Sequence, residues 1–164
     1  MEMIDSLIQA ISSVSKELAV FVTAALPVSE LRGAIPLAIL SFKFSASKAY
    51  IISFMGNALP VAPILLLLGP ISGKLRKFPL WKKFFDWLFE HTKKKASLVE
   101  KFEAVGLILF VAIPLPITGA WTGCIAATLF KIRFRYAFFA ILVGIAIAGI
   151  VVTALTLAGQ QIVK

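Results

Sequence analysis

The stretch from Ala24 to Leu40, AALPVSELRGAIPLAIL, is apolar except for Ser29, Glu30 and Arg32 at its middle. An acid and a base thus sit inside a run that otherwise reads as membrane. Pro27 and Pro36 flank them. Proline lacks a backbone N–H and its ring clashes with the preceding turn, so an unbroken helix is not expected here. Broken backbone at membrane depth is tolerated only where protein or a water-filled cavity surrounds it. An ionisable group at that depth costs about 2.5–3.5 kcal/mol on insertion scales, which makes it a candidate functional group. The stretch is therefore predicted to be a re-entrant hairpin. Leu18–Leu26 descends, Gly33–Phe42 returns, and Ser29, Glu30, Arg32 and Gly33 form the tip.

The rest of the chain agrees with a membrane setting. Of 164 residues, 60% are hydrophobic, against about 45–50% in soluble domains. The net charge of +9 does not point to nucleic acid. Its lysines and arginines flank apolar spans, as the positive-inside rule expects, and no RNP, KH or zinc-finger pattern accompanies them. Cys124 is the sole cysteine, so no intrachain disulfide forms and no zinc or redox spacing exists. No metal or cofactor is expected. His91 stands among lysines and reads as solvated. With no Ser-His-Asp set and no metal-ligand cluster, an enzyme is not expected. Glu2 and Asp5 stand where a signal peptide would need cationic residues.

In chain order, residues 1–16 read as an amphipathic helix on the membrane surface. A first repeat covers 17–72: the hairpin, a short polar turn at Phe44–Lys48, and a span predicted over Ala49–Ile71. Asn57 is a polar point within that span, able to hydrogen-bond across helices. Residues 73–103 form a basic loop. Phe78, Trp81, Phe84, Phe85 and Leu88 fall on one helical face of it, which predicts an interfacial helix near anionic lipid. A second repeat covers 104–164. Its broken segment, AIPLPITGAWTG, holds Pro114, Pro116, Thr118 and Gly119. Its last span, Tyr136–Val163, is rich in small residues that favour close packing and allow a homodimer. One offset lays Glu17 on Glu103, Gly33-Ala34 on Gly119-Ala120, and Tyr50 on Tyr136. Internal symmetry of this kind points to repeats with a site at their interface. The charge distribution only slightly favours re-entrant segments over simple spans; the paired prolines decide for them. The predicted fold is an all-α integral membrane protein. It has two inverted-topology repeats, each a re-entrant helical hairpin plus a transmembrane helix, with amphipathic interfacial helices. It is a multi-pass protein of the cytoplasmic membrane.

LPVSELRGAIPLAI and AIPLPITGAWTG together resemble the family of small multidrug export proteins. That family is similar in plan to the DedA superfamily, which includes the VTT-domain proteins. The resemblance covers nearly the whole chain. It implies two inverted hairpin-plus-helix units and membrane transport; DedA members are implicated in proton-coupled translocation of polyprenyl-phosphate carrier lipids. Their pattern pairs two acids about a dozen positions apart, which Glu17 and Glu30 resemble, so the resemblance adds Glu17 to Glu30 as a proton-coupling residue. The pattern also places two arginines around a proline in the second hairpin. The region around Pro114 has none, and Arg32 would supply the cation.

The function expected is thus transport of a polyprenyl phosphate or other anionic lipid, coupled to protons, with sodium as the other coupling ion. Export of small molecules or drugs is one alternative, and a non-transporting membrane scaffold is another. The substrate-binding candidates are Glu30, Arg32, Ser29, Gly33, Asn57, Thr118 and Gly119. Arg32 offers a bidentate fork to a phosphate, and Glu30 is the group to gain and lose a proton.

Overall fold

The computed structural model describes residues 15–75, 86, 90, 97–113 and 118–162. Among these the regular structure is helical, with no strand. The predicted N-terminal helix, the interfacial helix and the stretch holding Pro114 and Pro116 lie outside the described residues.

Helix α1, Lys16–Ala25, starts at Ser15, whose side chain accepts from the Leu18 N–H at 3.3 Å. It stops where Pro27 has no N–H to give the Thr23 carbonyl. Ser29 Oγ donates to that carbonyl instead, at 2.6 Å. A turn over Leu26–Ser29 leads into α2, Glu30–Pro36, which packs back on α1. Pro36 likewise cannot donate to the Arg32 carbonyl. Past it the helix widens into a π-helical segment, Leu37–Ser41, as the broken ladder allows. Helix α3, Ala46–Ala58, begins at Ser45, which accepts from the Lys48 N–H. The predicted span over Ala49–Ile71 corresponds to a stretch of spanning length from Ala46 to Leu68, with a turn at Leu59–Pro60. Pro60 cannot continue the hydrogen-bond ladder, and a new helix, α4, runs Val61–Leu75. Helices α5, Ser97–Ala112, α6, Ala120–Leu129, and α7, Phe134–Ile162, follow among the described residues. Among the described residues, two stretches are long and apolar enough to cross a membrane: Ala46–Leu68, of 23 residues, and Phe134–Ile162, of 29. At ten residues each, α1 and α6 are about 15 Å long, half the thickness of the hydrocarbon core.

The chain divides into two compact units, Pro60–Gly144 and the residues on either side of it. In the outer one, α1, α2 and α3 pack through small residues. Ala19, Thr23 and Ala24 of α1 meet Ala49, Ser53, Gly56 and Asn57 of α3, all buried. A side chain at Gly56 would put its Cβ 2.3 Å from the Phe21 carbonyl oxygen, so glycine is what lets the two backbones approach. The end of α7 joins this unit through Tyr50, whose hydroxyl donates to the Ala146 carbonyl at 3.2 Å and whose ring lies over Gly149. In the central unit, Val111 of α5 packs into the space left by Gly123 and Gly144. Cys124 is buried there beside the Val61 carbonyl.

One local pattern occurs twice. A short helix ends at Ser41 and again at Leu129. A lysine with left-handed backbone follows, Lys43 at φ 57° and Lys131 at φ 54°. A long helix then starts, at Ala46 and at Phe134.

Candidate functional site

The outer unit has two ends of different chemistry. At one, Glu17 in the first turn of α1 forms an ion pair with Lys48 of α3. Lys48 Nζ also stands 4.2 Å above the Phe44 ring, and Lys16 Nζ 5.9 Å from the Phe42 ring. Cations on aromatic rings are the usual dress of a membrane–water interface. The hydrogen bond from Lys48 holds the Glu17 carboxyl below its ordinary value, aided by a backbone hydrogen bond.

At the other end lies the turn between α1 and α2. Glu30 opens α2 and is 8% exposed. Its backbone is left-handed, φ 46°, a conformation that costs a non-glycine residue about 1–2 kcal/mol and that recurs at functional sites. Proline chemistry explains the geometry. With α1 ended by Pro27, the chain must reverse within the turn, and Glu30 absorbs the reversal. The Glu30 N–H still reaches the Leu26 carbonyl at 3.0 Å. Arg32 is half-buried, and Glu30 acts on it electrostatically. Positions two apart do not face each other on a regular helix, yet here the two charges interact electrostatically. Gly33 completes the tip: its N–H donates to the Ser29 carbonyl at 2.8 Å, and a Cβ there would stand 2.8 Å from Ser29 Cβ. The tip is therefore built by Ser29, Glu30, Arg32 and Gly33 together.

Asn57 belongs to the same unit, on the buried face of α3. The chain direction sets its depth. Glu17 pairs with Lys48, and Gly56 meets Phe21 and Ala24, so α1 and α3 run in parallel. Asn57 accordingly lies toward the end of α1 that carries the tip. Glu17 is at the opposite end of α1 and exposed, away from Glu30. Thr118 and Gly119 belong to the central unit. Thr118 Oγ1 donates to the Ile113 carbonyl at 2.8 Å. Gly119, at φ 153° and ψ −168°, takes a backbone open to glycine alone and starts α6. Among the described residues, no group of acids, histidine or cysteine could hold a metal ion. Sequence reasoning missed Ser53, which is fully buried one turn before Asn57. Its signal was the four-residue spacing to Asn57 within an apolar span.

An apolar groove of about 690 Å³ runs beside the π-helical segment in the same unit, lined by Pro36, Leu40, Val152 and Leu155, with Lys43 at its rim. Comparison with curated proteins and with solved structures gives no match. Residues 30–151, most of the chain and opening on Glu30 itself, match the family described as "Putative small multi-drug export protein". The chain belongs to that family.

Proposed function

We propose that the chain is an ion-coupled membrane transporter. Its outer unit enters the membrane as a re-entrant hairpin and binds an anionic or amphiphilic substrate at the Glu30–Arg32 tip. Membership of an export family and two apolar stretches of spanning length make it a membrane protein. The observation that carries the reading further is a buried carboxylate with a guanidinium in reach at a broken helix. The strained, left-handed backbone of Glu30 fits a group held for function.

Depth supports the hairpin. If the Lys48–Phe44 end lies at the interface, Glu30 is one helix length below it. From Glu30 to Ser41 that is about 18 Å at 1.5 Å per residue, close to the midplane of a hydrocarbon core about 30 Å thick. The twice-occurring order of short helix, left-handed lysine and long helix supports two repeats, and the paired prolines support reading them as inverted. Arg32 offers the planar fork that an anionic headgroup such as a phosphate requires. The apolar groove with Lys43 at its rim suits the remainder of an amphiphile. Polyprenyl phosphate is one such substrate, and an exported amphiphilic drug is another. Glu30 exchanges a proton as substrate binds and leaves, because an anion competes with it for Arg32.

Proteoliposome transport of a labelled amphiphile, driven by a pH gradient, tests this. Glu30→Gln is expected to lose gradient-driven transport at least tenfold while assembling normally. Arg32→Lys is expected to lose affinity for anionic substrates first, since an ammonium cannot reproduce the fork. Gradient-driven transport by Glu30→Gln at the wild-type rate would leave the Glu30–Arg32 pair a purely structural role.

A further inference from the structure

Two side-chain oxygens in the outer unit are buried without a hydrogen-bond partner among the described residues. Ser53 is 0% and Asn57 2% exposed, and neither Ser53 Oγ nor Asn57 Oδ1 makes a hydrogen bond there. Native proteins leave few buried polar atoms unmet, because each one forfeits its solvation. The two residues are one turn apart on α3, so their side chains are neighbours, with Cβ atoms about 5–6 Å apart. A single small bound species can bridge them.

The surroundings define its chemistry. The face carrying Ser53 and Asn57 packs on α1, where Gly56 abuts the Phe21 carbonyl oxygen. The donors toward that end of α1 are already used. Thr23 Oγ1 donates to Ala19, Leu26 N–H to Val22, and Ser29 Oγ to Thr23. Pro60 has no N–H for the carbonyl of Gly56. What this face offers is oxygen: a hydroxyl, an amide oxygen and helix carbonyls. Both unmet atoms are oxygens, and oxygen ligands suit a hard cation. Its ligands are neutral, and the carboxylate nearest in the chain, Glu30, is already acting on Arg32. That favours one positive charge over two.

We infer that Ser53 and Asn57 form a binding site for a small monovalent cation, sodium, between α1 and α3. The inference names the ion that would work beside Glu30, and for that role it rests on the reading of the chain as an ion-coupled transporter. Binding itself is measured without transport.

The full-length protein in detergent is melted in sodium chloride and in choline chloride at equal ionic strength. Wild type, Ser53→Ala and Asn57→Leu are compared. Sodium is expected to raise the wild-type Tm saturably, by roughly 4 °C or more once well above its Kd. Both variants should lose that shift. In choline they should melt no lower than wild type, because each removes an unmet polar group. Equal wild-type Tm values in the two salts would overturn the inference, and a site filled only by water gives that result. A sodium shift surviving in either variant that folds would overturn it too. Neither outcome touches the Glu30→Gln transport result, so the two proposals fail separately.

Discussion

At the scale of single residues, the two acids expected to share proton coupling lie in opposite settings. Glu30 is buried at a strained turn, while Glu17 is exposed and tied to Lys48. Lys48 lowers the Glu17 carboxyl from an ordinary value of 4.5. A group whose folded value is depressed adds stability above its unfolded value and loses it as pH falls through the folded one. Glu17→Gln should therefore melt below wild type at pH 7, and the two Tm values should converge below about pH 4. The pair is half exposed, so the gap should be small and should shrink with added salt. A gap that persists at pH 3 would show that Glu17 acts through something other than its charge. Serine 29 makes the same point about chemistry by position. Its hydroxyl takes the place of the N–H that Pro27 lacks, so it supports the tip whatever else it binds.

At the scale of elements, the helix breaks were legible because proline acts locally. Pro27 ends α1, and Pro36 marks the change to π-helix, in the stretch where the sequence placed a broken segment. Pro60 carries the same signal inside the span over Ala49–Ile71, where it marks the turn between α3 and α4. Contacts between distant residues were not legible. Nothing in the sequence near Glu17 names Lys48, and nothing near Gly56 names the Phe21 carbonyl. The left-handed lysines were invisible too, since such positions usually announce themselves as glycine or asparagine. They yield a paired prediction. A lysine at positive φ costs about 1–2 kcal/mol relative to allowed backbone, a cost that glycine does not bear. Lys43→Gly and Lys131→Gly should each leave the Tm unchanged or raise it by up to a few degrees. Ala49→Gly, inside α3, should lower stability by about 0.5–1 kcal/mol. A loss of stability in both lysine variants would show that their side chains matter more than their backbone.

At the scale of the whole molecule, the question is which termini and turns face which side of the membrane. In the proposed topology the charge rule would place the basic loop and the Lys131–Arg135 turn on the cytoplasmic side. Two re-entrant segments, as proposed, would then put the turn around Ser45 and the C-terminal Lys164 outside. Simple spans throughout would change these assignments. Ser45 and Arg133 are both exposed, each at the start of a long helix, and so report directly on the two sides. The native thiol does not interfere, because Cys124 is buried. Ser45→Cys is expected to react with a membrane-impermeant maleimide added to intact cells, and Arg133→Cys only after the membrane is opened. The reverse pattern, labelling at Arg133→Cys but not at Ser45→Cys, would refute the re-entrant topology. The tip chemistry would then need another route to mid-membrane, because α1 at about 15 Å is too short to cross by itself.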